Sequence, residues 1–182
     1  MKKTIILSLT LLPMMISSGM VYSVLPIYIV EELKATKTEV GSIFTLGAFS
    51  GMVTAYIFGK IADRIGRKPL ILAAQIGFSM VMLFYSLISQ KMFAYFIQIL
   101  EGMSWAMLGV TAPAMIADLS KKHKRGEAMG IYSTSWNFGW VVGPFFGGIL
   151  SESFGFRFML KVSFVMLIIG FTASYFVLKR IE

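Results

Sequence analysis

Residues 59 to 69 read Gly59-Lys60-Ile61-Ala62-Asp63-Arg64-Ile65-Gly66-Arg67-Lys68-Pro69, a charged segment set between two apolar runs. Residues 40 to 59 and 70 to 89 carry no charge at all. A helix that crosses the hydrocarbon core needs about 20 apolar residues, so each run is long enough to span once. The glycines allow the chain to reverse tightly between the two spans. Asp63 can form an ionic network at the membrane surface with the basic residues around it, and the stretch reads as a polar loop joining two transmembrane helices.

The same alternation of apolar run and short polar loop extends outward in both directions. Spans are predicted at roughly 4 to 30, 39 to 59, 70 to 89, 91 to 117, 127 to 151 and 158 to 178. Composition agrees, with 57% hydrophobic and 14% charged residues and a mean hydropathy of +0.76. Six spans use nearly all of the 182 residues and leave no room for a soluble catalytic domain. The ten-residue alternation of a membrane barrel is missing, so the spans are helices. Pro13, Pro26, Pro113 and Pro144 fall inside or at the ends of spans, where neighbouring helices tolerate them. Lys2 and Lys3 before an apolar run resemble a secretory leader, but the run continues to about residue 30 without a clear A-x-A site and reads as the first span.

The basic residues give the orientation. Lys2, Lys3, Lys60, Arg64, Arg67, Lys68, Lys121, Lys122, Lys124, Arg125, Lys179 and Arg180 fall on one side, against Lys34, Lys37, Lys91 and Arg157 on the other. The richer side is cytoplasmic by the positive-inside rule, which places both termini in the cytoplasm of a multi-pass cell-membrane protein. The net charge of +8 is thereby a property of loops and implies no nucleic-acid partner. No cysteine is present, which excludes disulfides and thiolate metal sites.

An internal repeat is also legible. Gly59, Asp63, Gly66 and Lys68 follow the second span, and Gly148, Glu152, Gly155 and Arg157 follow the fifth with the same internal spacing. Gly41 with Gly130, Thr45 with Thr134 and Phe49 with Phe138 keep the same offset. Because each copy holds an odd number of spans, the second enters the membrane from the opposite face. The expected fold is an all-α membrane protein of six transmembrane helices, one bundle over residues 1–182, made of two inverted three-helix repeats at about 1–90 and 91–182.

The loop from Gly59 to Lys68 resembles motif A of the major facilitator superfamily, G-x-x-x-D-R-x-G-R-K, at every defining position. Gly139-Trp140-Val141-Val142-Gly143-Pro144-Phe145-Phe146-Gly147-Gly148 in span five resembles motif C, G-x-x-x-G-P-x-x-G-G, of the drug and proton antiporter branches. Gly139, Gly143 and Gly147 share one helix face and permit close helix approach, and Pro144 removes a backbone donor beside them. The resemblance implies half of a major facilitator fold, in which Asp118 pairs with Arg67 and Asp63 faces a helix N-terminus of the other half. Gly59, Asp63, Arg64, Gly66, Arg67, Lys68 and Asp118 then act as a gating latch for the outward-facing state, and Gly139, Gly143, Pro144, Gly147 and Gly148 as a hinge. Positive-inside orientation alone also accounts for Lys60 and Arg64. The resemblance further implies alternating access, with a second six-helix half supplied by a copy of this chain, a separate partner or a C-terminal continuation.

Span four departs from motif B of that family, since Gln98 stands where its arginine belongs, and span one has no carboxylate. The acid well inside a span is Glu101. An ionisable side chain there is costly unless it faces a polar cavity or is neutral, and it is a functional residue by default. Three roles compete: a proton carrier, an anchor for a cationic substrate, and a neutral packing group hydrogen-bonded to Gln98. Trp105 lies one turn on. Trp136, Asn137 and Trp140 on span five and Tyr22 on span one are candidates for lining the same cavity, with lipid or helix contact as the alternative. Aromatic faces beside a carboxylate suit a lipophilic cation, and the 14 methionines can supply an adaptable apolar surface. Lys161 reads as a snorkelling residue and His123 as solvated.

H-E-x-x-H, P-loop and nucleotide-binding glycine patterns are missing, so neither an enzyme nor a metal or organic cofactor is expected. The expected partners are the bilayer, protons and a small-molecule substrate, with efflux of amphipathic compounds as the leading function. A nutrient symporter and a non-transporting scaffold or regulator are the alternatives.

Overall fold

The chain folds as six long helices, whose order and length follow the apolar runs. The computed structural model describes residues 2–180. The helices are α1 (Lys2–Glu31), α2 (Lys37–Ile65), α3 (Arg67–Leu87), α4 (Met92–Asp118), α5 (Arg125–Phe154) and α6 (Phe156–Arg180), with one 3-10 turn at Lys122–Lys124. There is no strand among the described residues.

Local chemistry sets the ends. Thr36 caps α2 through a reciprocal box, its hydroxyl accepting from the Glu39 N–H while the Glu39 carboxylate accepts from the Thr36 N–H. α2 continues past the expected span end at residue 59 because nothing between there and Gly66 breaks a helix. Its 29 residues extend roughly 44 Å, so its last turns project beyond a hydrocarbon core of about 30 Å.

Gly66 stops α2 with φ 88° and ψ 167°, a conformation nearly exclusive to glycine that costs other residues about 1 to 3 kcal/mol. A Cβ there would meet nothing within 4 Å, so the cost lies in the backbone alone. Gly66→Ala is therefore expected to lower stability by about 1 to 3 kcal/mol. Gly59→Ala, also in open space but helical, is expected to change it by less than about 1 kcal/mol. Thermal unfolding of both variants in mild detergent checks the contrast. Gly155, at the end of α5, adopts φ 84° and ψ 158°, nearly the same conformation.

Five helices, all but α5, are long and apolar enough to cross a membrane. That differs from the six spans expected. α5 is 30 residues long, but Gly126, Gly130, Gly139, Gly143, Gly147 and Gly148, with Ser133, Ser135 and Asn137, dilute its hydropathy.

Helix pairing only partly follows chain order. α1 packs against α5 and α6, α4 packs against α2 and α3, and α3 meets α6, while α1 with α2 and α2 with α3 barely touch. α1 is central and buries Leu7, Leu11, Met14, Val21, Leu25 and Tyr28. α2 is the opposite, with Phe49, Met52 and Tyr56 on its exposed side, and α5 likewise exposes Val141 and Phe145. Two glycine crossings hold the bundle. On α5, Gly139, Gly143 and Gly147 lie against the α1 backbone at Met15, Ile16, Gly19 and Met20, and between α2 and α4 the backbones of Gly47 and Gly102 touch.

Candidate functional site

Glu101 is positioned by the α2–α4 crossing. Gly47 leaves space for Gln98, where a Cβ would come within 3.0 Å of the Gln98 amide nitrogen and 3.1 Å of its carbonyl. Ser50 Oγ donates to the Ile99 carbonyl at 3.0 Å across the same contact. α4 is thus fixed in rotation over the turn that precedes the acid.

The Glu101 side chain is 3% exposed and lines a cleft of about 540 Å³ with Tyr22, Phe44, Gln98, Trp105 and Trp140. Among the described residues its Oε2 is buried without a hydrogen-bond partner, and no Lys or Arg lines the cleft. A buried carboxylate oxygen in that position is costly, so the cleft is chemically incomplete toward a proton or a cation.

Aromatic rings form one wall. Trp105 meets Phe78 at 4.8 Å, Trp136 at 5.3 Å and Tyr22 at 6.0 Å between ring centroids, and its Nε1 donates to the Tyr22 hydroxyl at 3.3 Å. Trp140 is 40% exposed at the rim. Trp136 stands behind Trp105 as support, and Asn137 is exposed and does not line this cleft. The structure therefore brings Tyr22, Gln98, Glu101, Trp105 and Trp140 together, with Trp136 in a second layer.

Sequence reasoning missed Tyr85. Fully buried on α3, it donates from its hydroxyl to Gln98 Oε1 at 2.7 Å, and Tyr28 donates to the Tyr85 carbonyl at 2.6 Å. With Oε1 so occupied, the amide nitrogen of Gln98 is left on the α2 side of the residue. No local pattern marks Tyr85, whereas Gly47 and Gly51, four apart, carried a small-residue packing signal.

At one end of the bundle, Arg67 at the start of α3 forms an ion pair with Asp118 at the end of α4 and donates to the Ala114 carbonyl at 3.2 Å. Asp118 is half exposed, so the pair contributes only about 0 to 1 kcal/mol by itself. Asp63, Gly66 and Lys68 border the same shallow cleft, and Asp63 makes no ion pair among the described residues. Arg64 and Lys60 lie on another side of α2, with the Lys60 ammonium 4.5 Å from the Tyr56 ring. In the glycine series, Gly139, Gly143 and Gly147 face α1 beside Pro144, but Gly148 faces open space and Gly59 does too.

Among the described residues no group of His, Cys, Asp and Glu is arranged to hold a metal ion.

The bundle thus carries a carboxylate cleft and an Arg67–Asp118 pair on six long helices, five of them long and apolar enough to cross a membrane. The chain belongs to the Major Facilitator Superfamily, whose family model matches residues 7–182, and it is a multi-pass membrane protein. It is 28% identical over 162 residues to multidrug resistance protein 2 of Bacillus subtilis, covering 89% of this chain and 40% of that protein. It is 32% identical over 157 residues to the multi-drug resistance efflux pump PmrA of Streptococcus pneumoniae, covering 83% and 39%. The fold is similar to that of the human organic anion transporter MFSD10 (TETRAN), with a TM-score of 0.70 at 18% identity over 94% of this chain and 47% of that one. The chain spans less than half the length of each of these relatives.

Proposed function

We propose that this chain is one half of a secondary transporter that exports lipophilic cations in exchange for protons. The single observation carrying the proposal is the buried Glu101 Oε2, which among the described residues has no hydrogen-bond partner and no Lys or Arg beside it in an aromatic-walled cleft. A proton or an organic cation can each neutralise that carboxylate, but not both at once. Competition for one charge is the physical basis of exchange. Tyr22, Trp105 and Trp140 offer π faces, each worth about 0.5 to 2 kcal/mol to a desolvated cation. PmrA, an efflux pump by name, supports the direction of transport, and multidrug resistance protein 2 supports the class of compound.

The proposal includes a topology. All six helices span, α5 among them, because α5 lies along α1, the most central of the apolar helices. Residues 1–90 and 91–182 are inverted repeats. In support, exchanging α1 with α4, α2 with α5 and α3 with α6 turns the α1–α5 packing into α4–α2, and α1–α6 into α4–α3, and both pairs are observed. Gly66 and Gly155 hold equivalent places at the ends of α2 and α5 with matching dihedrals. Both termini and the Arg67 loop lie in the cytoplasm at the inner membrane, where Arg67–Asp118 steadies the outward-facing state.

A second six-helix half completes the cavity, since the relatives are more than twice as long and the exposed apolar faces of α2 and α5 flank the open cleft. That half is a further copy, a separate chain or a continuation. Proteoliposomes carrying the chain alone and with a complementary half test the function under an imposed pH gradient. Cation efflux that follows the proton gradient is the expected result. Gradient-driven sugar uptake would replace antiport with symport, and no flux with the half present would leave a scaffold or regulator.

The Arg67–Asp118 contact gives a smaller prediction. Asp118→Asn is expected to lower the turnover of gradient-driven efflux about two- to fivefold, equivalent to roughly 0.4 to 1 kcal/mol, while leaving apparent substrate affinity within about twofold. Initial rates against substrate concentration check it.

A further inference from the structure

Arg157 begins α6 at the end of the bundle opposite Arg67. Its Nε donates to Glu32 Oε2 at 2.9 Å, just after α1, and its Nη1 and Nη2 donate to the Ser86 and Ile88 carbonyls at 3.2 and 2.7 Å, where α3 ends. One guanidinium thereby ties together three helix ends. Carbonyls at a helix C-terminus have no partner within the helix, and the fork of an arginine matches them together with a carboxylate.

Under the repeat exchange this contact has a counterpart at the level of helix ends, although the residue register pairs Arg157 with Lys68, the neighbour of Arg67. Arg67 at the start of α3 holds the end of α4 through Asp118 and Ala114. Arg157 at the start of α6 holds the end of α1 through Glu32. Each third helix grips the end of the first helix of the other repeat, at opposite ends of the bundle, and both arginines directly follow a glycine junction with φ near 85° or fall within two residues of one. Glu39 and Lys91, at the starts of α2 and α4 on the Arg157 end, form a separate pair with Nζ to Oε1 at 2.7 Å.

We propose that Arg157 and Glu32 form a second latch, the outer-face counterpart of Arg67 and Asp118, which steadies the inward-facing state as the first steadies the outward-facing one. The inference rests on the inverted-repeat transporter reading above. The inner pin fits the state whose inner end is closed. Exchanging the repeats moves the pin to the outer end and assigns it to the state closed there.

The chain has no cysteine, so Ala48→Cys on the cleft wall gives one reporter thiol. Its labelling rate by an impermeant reagent is read from the outside on intact cells and from the cytoplasmic face on inverted vesicles, in cells carrying the completed transporter. Arg157→Gln is expected to raise the outside-to-inside ratio about threefold or more, and Arg67→Gln to lower it by a similar factor. Glu32→Gln, which keeps both carbonyl bonds, serves as the milder variant and should move the ratio in the Arg157→Gln direction. An unchanged or lowered ratio in both Arg157→Gln and Glu32→Gln, or a loss of thermal stability with no change of ratio, overturns the outer latch. A ratio unmoved by Arg67→Gln alone removes the inner latch and leaves the outer one to its own two variants. A thiol that labels from only one face in every variant removes alternating access itself.

Discussion

Glu101→Gln is expected to cut pH-gradient-driven cation flux at least about tenfold, a loss of roughly 1.4 kcal/mol or more in the coupled step. Glutamine keeps the size and shape of the acid, so packing among Gln98, Tyr22 and Trp105 is preserved. It cannot carry a proton or a negative charge. Two measurements together are diagnostic: proteoliposome flux under an imposed gradient, and equilibrium binding of a fluorescent lipophilic cation to the same preparation. If Glu101 both binds cation and exchanges proton, flux and binding fall together. If flux falls while binding persists, the residue carries the proton and the aromatic wall binds the cation. Flux and binding equal to those of the unaltered protein would show that Glu101 is a neutral packing group and that coupling lies elsewhere.

The second large effect is expected in span five and has a built-in control. A Cβ at Gly143 would lie 2.6 Å from the Ile16 carbonyl oxygen, 2.7 Å from Gly19 Cα and 2.7 Å from the Met20 nitrogen. All three are backbone atoms that no rotamer change can move. Gly143→Ala is expected to cost about 1 to 3 kcal/mol by forcing α1 and α5 apart, and Gly143→Val more. Gly148 is five residues on in the same helix, with nothing within 4 Å of its Cβ position. Gly148→Ala is expected to be neutral or to stabilise by up to about 1 kcal/mol through helix propensity. Thermal unfolding followed by tryptophan fluorescence in detergent reads both. Equal losses at the two positions would mean that general helix flexibility, and not the α1–α5 contact, explains the glycines.

These two residues also mark how far sequence reasoning reaches. Glu101 was legible because one acid within an uncharged run stands out against the cost of burying charge. The Gly139, Gly143 and Gly147 face was legible because a spacing of four on a helix is a local property. Gly148 and Asn137 were harder to place, since which face of α5 meets α1 depends on a helix over a hundred residues away. α5 itself fell short of the apolar content of the other five helices, because residues that permit close packing also lower hydropathy. Tyr85 and the Arg157–Glu32 contact carried no signal on their own. Their roles come from distances between α3 and α4, and between α6 and the end of α1, that no single segment encodes. The segment from Gly59 to Pro69 was the reverse case, with the helix-ending glycine and the charges within eleven residues and an apolar run on each side, although only Gly66 of it lies outside a helix.

The proposed transport mechanism requires two three-helix units threaded through the membrane in opposite senses, and topology can be read directly. One cysteine is placed beside Lys60, at the end of α2, or beside Glu152, at the end of α5, in a chain that otherwise has none. Intact cells are then treated with a membrane-impermeant thiol reagent. The thiol near Glu152 should label at once, and the thiol near Lys60 only after permeabilisation. Labelling of both from the same side would contradict the inverted threading, and with it the cavity, the latches and the transport mechanism built on them.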